Sequence, residues 1–126
     1  YMKCINSLAL VGLTLSLAAC GGIKSQEEIA QLTATEVAQL GCSAYKNIEL
    51  EQLQYLFPET SYKKLIRKSS KNPDRFREFV EDADCGVIKA ENVSYKRLDA
   101  TRVTFEKFSA IKVFKVDGKY QIALEG

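Results

Sequence analysis

The chain contains no histidine and no tryptophan. Without histidine, no side chain has an ordinary titration near neutrality, and the commonest metal ligand is missing. That removes most histidine-dependent nucleophilic triads and most zinc sites. An excess of one charge is also absent: 18 basic residues face 16 acidic ones. A balance this close to neutral argues against a polyanion-binding body, nucleic acid included. Prolines are few, only Pro58 and Pro73, so each is informative about where a helix stops or starts. No long hydrophobic run is present either. The uncharged apolar stretch at residues 8–19 is about a dozen residues, short of the ~20 needed to cross a bilayer.

That stretch is informative by its position. Met2 is read as the start of translation, Lys3 supplies a positive charge, and the apolar run follows directly. It ends in Leu17-Ala18-Ala19-Cys20. This resembles the lipobox of bacterial lipoproteins: a branched apolar residue, two small residues, then cysteine. The resemblance implies cleavage before Cys20, a diacylglycerol thioether on its sulfur, and N-acylation afterwards. Two or three acyl chains anchor stably where one binds marginally, at ~0.8 kcal/mol per buried methylene. Gly21 and Gly22 follow, without the aspartate that retains some lipoproteins at the inner membrane. The expected location is therefore the outer membrane, facing the periplasm.

The expected organisation is a signal peptide over residues 1–19, a lipidated tether over 20–24 and a single domain over 25–126. About one hundred mature residues suffice for one hydrophobic core. Of the four cysteines, Cys4 leaves with the signal and Cys20 takes the lipid. Cys42 and Cys85 remain, in a compartment where disulfides persist. A bridge between them is the preferred reading, and two buried thiols or a reactive one are the alternatives.

Two capping boxes open the mature chain, Ser25 with Glu28 and Thr33 with Glu36. Ile29, Leu32, Val37, Leu40 and Ala44 run through both at helical spacing, predicting a helix from Gln26 or Ala34 to Lys46. Gly41 weakens that helix without ending it. Ile48, Leu53, Leu56 and Phe57 predict a second short helix that Pro58 stops. Thr60 is expected to cap a third, carrying Tyr62, Leu65 and Ile66. Asn72-Pro73 opens a fourth, which reaches about Asp82.

From Gly86 the period changes to two. Residues 87–98 read as a strand with a bulge near Glu91-Asn92, and Asp99-Ala100 reads as a turn. Residues 102–116 read as one long strand or two broken near Phe108-Ser109. Asp117-Gly118 is a hairpin signal, with Tyr120, Ile122 and Leu124 alternating after it. Helices first and strands afterwards predict an α+β fold, with helices on one face of a curved antiparallel sheet of three or four strands. The closing run of residues 111–122, with its Lys115-Val116-Asp117-Gly118-Lys119-Tyr120 centre, resembles the terminal hairpin of small lipoproteins of the nuclear-transport-factor-2-like, or cystatin-like, class. That resemblance implies a cone-like fold.

Candidate sites follow from charge and aromatics. Lys63, Lys64, Arg67, Lys68 and Lys71, followed by Arg75 and Arg77, form a basic stretch. A solvated helix face is the preferred reading, and contact with a polyanion such as anionic lipid or lipopolysaccharide is the alternative. Glu78, Glu81, Asp82 and Asp84 form an acidic cluster, best read as pairing with neighbouring arginines and without the ordered spacing of a calcium loop. Tyr45, Tyr55, Tyr62, Tyr95 and Tyr120 are expected in the core, with a binding groove as the alternative. Asn92-Val93-Ser94 matches a glycosylation sequon of no weight in a bacterial product. No metal or cofactor is called for. The functional expectation is a non-catalytic, membrane-anchored interaction module with an envelope protein or glycan as partner. A small enzyme or ligand carrier using Tyr45 with Asp82 or Asp84, or an inhibitor or immunity lipoprotein, is the alternative.

Overall fold

The computed structural model describes residues 22–125. The signal-like run, Cys4, Cys20 and the lipobox lie outside the described residues. Five helices precede four strands: α1 Gln26–Ala30, α2 Ala34–Lys46, α3 Leu50–Leu56, α4 Glu59–Lys71, α5 Pro73–Glu81, then β1 Asp84–Tyr95, β2 Leu98–Lys107, β3 Ile111–Val116 and β4 Lys119–Leu124. The fold is α+β, and the strands form an open antiparallel meander in the order β1-β2-β3-β4.

Both capping boxes are used, so the expected first helix is two. Ser25 Oγ accepts the Glu28 N–H at 3.3 Å while Glu28 returns a carboxylate oxygen to the Ser25 N–H at 2.9 Å. Thr33 and Glu36 repeat the exchange at 3.2 and 2.8 Å. Each box satisfies N-terminal N–H groups that a continuous helix would not leave open, and residues 31–33 break the chain between them. Helix α2 ends in a Schellman pair, with Ile48 N–H on the Tyr45 carbonyl and Glu49 N–H on that of Ala44. Ile48 occupies the left-handed position there at φ 52°.

Pro58 stops α3 as expected, but Thr60 does not cap α4. The helix begins at Glu59, and the Pro58 carbonyl accepts the Tyr62 N–H. Proline precedes a first turn at no cost, because its missing donor is not needed there. Asn72 caps α5 through its side-chain oxygen on the Arg75 N–H, with Pro73 at the first helical position.

The sheet departs from expectation in two places. The irregularities of β1 sit at Asp84 to Val87 and at Val87 to Lys89, not Glu91-Asn92: three-residue and two-residue steps on β1 face the steps from Lys107 to Phe105 and from Phe105 to Thr104 on β2. The extra residue of the second leaves Ile88 55% exposed. The first hairpin turns at Lys96-Arg97, both left-handed at φ 49° and 70°, and Asp99 and Ala100 lie within β2 opposite Ser94 and Val93. Of the two alternatives for residues 102–116, two strands is correct, broken between Lys107 and Ile111. Asp117-Gly118 makes the last hairpin, with φ 53° and 78°.

Helix α2 lies across all four strands. Its buried Val37, Ala38, Cys42 and Ala44 share one core with Leu53 and Leu56 of α3, Val80 of α5, and Val103, Ile111, Val113 and Ile122 of the sheet. Gly41 has a packing reason to lie inside this helix. A Cβ there would meet Ile122 Cδ1 at 2.8 Å, so glycine lets helix and sheet approach. The Cys42–Cys85 disulfide then staples α2 to the start of β1, whose pairing begins at Asp84, earlier than the change of period indicates.

Candidate functional site

The residues just before and at the start of α1 are tied to α3 by side-chain hydrogen bonds. Gln52, 1% exposed on α3, accepts the Lys24 N–H at 2.7 Å and donates its amide to the Lys24 carbonyl at 3.1 Å. The Gln26 amide donates to the Tyr55 carbonyl at 2.9 Å. Three hydrogen bonds thus hold Lys24 and Gln26 against α3. A sequence signal existed for Gln52: it lies four residues before Leu56 and beside Leu53, on the apolar stripe of its helix. A polar residue on such a stripe needs a buried partner.

Helix α4 begins three residues after α3 ends and carries the basic stretch. Lys63, Lys64, Arg67, Lys68 and Lys71 are all exposed, while Leu65 is buried and Tyr62 and Ile66 are half-buried. At 100° per residue the five cations occupy an arc of roughly 140°, opposite the side that meets the body. Lys63 pairs with Glu59 at 3.4 Å; among the described residues the other four make no ion pair. Farther on, Arg77 pairs with Asp74 at 3.2 Å.

The acidic cluster makes no ion pair with the neighbouring arginines among the described residues, contrary to expectation. Glu78, Glu81, Asp82 and Asp84 are exposed, and Asp84 is engaged locally, accepting the Gly86 N–H at 2.9 Å. No group of three potential metal ligands occurs among the described residues. Tyr45 is not with them. It is 5% exposed and packs edge-on to Phe57 at 6.1 Å and against Phe108 at 5.4 Å, with Phe76 at 6.3 Å. Burial pushes its phenol well above the ordinary value. Tyr45 is therefore core, and the structure does not bring it to Asp82 or Asp84 in a common cavity. Tyr55 and Tyr62 also pack against the core.

The helices leave one end of their sheet face uncovered. An open cleft of about 360 Å³ lies there, lined by Ala34 of α2 and by Asn92, Asp99, Thr101, Lys115 and Tyr120 among others. Lys115 Nζ stands 4.8 Å from the centre of the Tyr120 ring. Tyr120, for which the sequence favours the core with a groove as the alternative, packs against the core and also lines this cleft; the other lining residues carry no sequence signal, because strand register alone assembles them.

On the opposite face Arg102 organises a charge network. Its guanidinium grips Glu125 with two bonds of 2.6 and 2.7 Å and reaches Glu91 at 3.2 Å; Lys112 stands 3.6 Å from Glu125. The guanidinium bonds hold the Glu125 carboxyl below its usual range, and the same bonds raise Arg102. Nearby Tyr95 stacks on Phe114 with ring centres 4.9 Å apart. Nothing local in the sequence marks this network.

No described helix is long and apolar enough to cross a membrane. Comparison with protein-family models, curated proteins and solved structures finds no match.

Proposed function

We propose that this chain is a lipid-anchored protein of the bacterial cell envelope, a non-catalytic module that binds a partner and does not transform a substrate. The observation that carries the reading is the sequence Leu17-Ala18-Ala19-Cys20 at the exit of a charged-then-apolar leader. Two features of the body support it. The chain is pinned again at Lys24, so lipid and domain are joined by a very short link. The Cys42–Cys85 bridge suits an oxidising compartment. The outer membrane, facing the periplasm, is the proposed location, from the glycines that follow Cys20.

The test is mass spectrometry of the mature protein made in a bacterial host. The expected mature chain begins at Cys20 and carries diacylglycerol plus an amide-linked acyl chain. Cys20→Ser abolishes both processing and membrane retention. A mature chain that begins elsewhere, without added lipid mass, overturns the reading.

A second reading, a carrier of a small polar ligand such as an envelope glycan fragment, is favoured by the cleft. Asn92, Thr101 and Asp99 offer an amide, a hydroxyl and a carboxylate from rigid strands beside an aromatic ring. Titrating the protein with soluble peptidoglycan fragments while following the amide signals of these residues separates the readings. Unmoved signals at millimolar ligand exclude this one.

A further inference from the structure

We propose that the exposed face of α4 is the surface this protein lays on the bilayer, with Lys64, Arg67, Lys68 and Lys71 contacting anionic phospholipid head groups. The inference rests on the lipid-anchor reading and adds the orientation of the anchored body.

The first argument is charge asymmetry. Helix α4 carries five basic residues and a single acidic one, Glu59, whereas acidic residues outnumber basic ones in the rest of the chain. The protein is near neutral overall, yet its positive charge is concentrated on one helix face. Four of these cations make no ion pair among the described residues, so approach to an anionic surface breaks only the exposed Lys63–Glu59 contact. A solvated face that only kept the domain soluble would gain nothing from having one sign; mixed charges serve that purpose equally.

The second argument is position. The tether root is hydrogen-bonded to Gln52 and Tyr55 of α3, and α4 starts at Glu59, four residues beyond Tyr55. The basic helix therefore begins four residues along the chain from a residue that holds the segment nearest the proposed anchor. From Cys20 to Lys24 is four residues, which span at most ~14 Å when fully extended. Screening at physiological salt acts over about 8 Å, so a body on so short a link returns repeatedly to within range of the surface field. A long flexible linker would dilute the attraction; this one cannot.

Each basic side chain near an anionic leaflet strengthens attachment roughly fivefold at low salt. Together they fix which face of an already anchored body lies down.

The experiment uses the mature lipidated protein, its acylation checked by mass, in vesicles of phosphatidylcholine with or without phosphatidylglycerol. A water-soluble amine-acylating reagent reports each lysine separately. In phosphatidylglycerol vesicles at low salt, Lys63, Lys64, Lys68 and Lys71 are expected to react at least fivefold more slowly than in phosphatidylcholine. Lys96 and Lys119, at the two hairpin turns, are expected to be unchanged. Half-molar sodium chloride restores the α4 rates. The triple variant Lys64→Gln, Lys68→Gln, Lys71→Gln, checked for folding by circular dichroism, is expected to leave Lys63 unprotected. Equal rates in the two vesicle types overturn the proposal, as does protection that ignores salt. Protection seen only when lipopolysaccharide replaces the phospholipid overturns the choice of head group. A protein that carries no acyl chain fails the anchor reading itself, which the mass measurement reveals separately.

Discussion

The side chain of Gln52 pairs with the backbone of Lys24 on both sides, accepting its N–H at 2.7 Å and donating to its carbonyl at 3.1 Å. One amide thereby substitutes for a neighbouring strand and holds the backbone of Lys24 against α3. Gln52→Leu is expected to keep the helix and lose the clamp, leaving the Lys24 polar groups without their partners. The loss should be ~1–3 kcal/mol in urea unfolding, with faster hydrogen exchange at the Lys24 amide. Unchanged exchange there would show that the clamp does not hold the tether.

The Cys42–Cys85 bridge closes a separation of 43 residues between α2 and β1. The chain-entropy account gives ~4 kcal/mol for such a loop. Replacing both cysteines by alanine is expected to lower the unfolding free energy by that order while the helix and sheet content persists. Reduction with dithiothreitol removes the bridge without removing the sulfur atoms, so the double variant, with a small cavity at the fully buried Cys42, should be the less stable of the two.

The two hairpin turns predict opposite outcomes. Arg97 is exposed and left-handed at φ 70°, where only glycine sits without penalty. Arg97→Gly is expected to stabilise by up to ~1 kcal/mol. Gly118 is at φ 78° with open space where a Cβ would go. Gly118→Ala is expected to cost ~1–2 kcal/mol through the backbone alone. Thermal unfolding of the pair, measured together, checks both signs.

Glu125 is held below its ordinary carboxylate range by the Arg102 guanidinium. A depressed folded value means that its contribution to stability is full above the unfolded carboxylate value and is lost as pH falls through the folded one. Carbon-detected titration should find its midpoint below that of exposed glutamates. In Arg102→Met the midpoint should rise toward the ordinary value, with Lys112 at 3.6 Å leaving a small residue of the effect. A midpoint unmoved by the substitution would show that the two groups do not meet in solution.

Local chemistry was the readable part. Ser25, Thr33 and Asn72 announced helix starts because a cap is formed by residues two or three apart. Asp117-Gly118 announced its turn for the same reason. The first hairpin misled because Lys96 and Arg97 are poor left-handed residues, and the turn-like Asp99-Ala100 lay close by. There the strand pairing, from Tyr95 opposite Leu98 onward, overrode local preference.

By itself the sequence determined the helix caps, the last hairpin and the order of helices before strands, and it alone carries the proposal of a leader ending at Cys20. Each depends on neighbours within a few residues. Tertiary structure alone decided the register shifts from Asp84 to Lys89, the grip of Arg102 on Glu125, the cleft beside Tyr120, and the clamping of Lys24 by Gln52. Those join positions far apart in the chain, where strand register and packing, not local preference, set which groups meet.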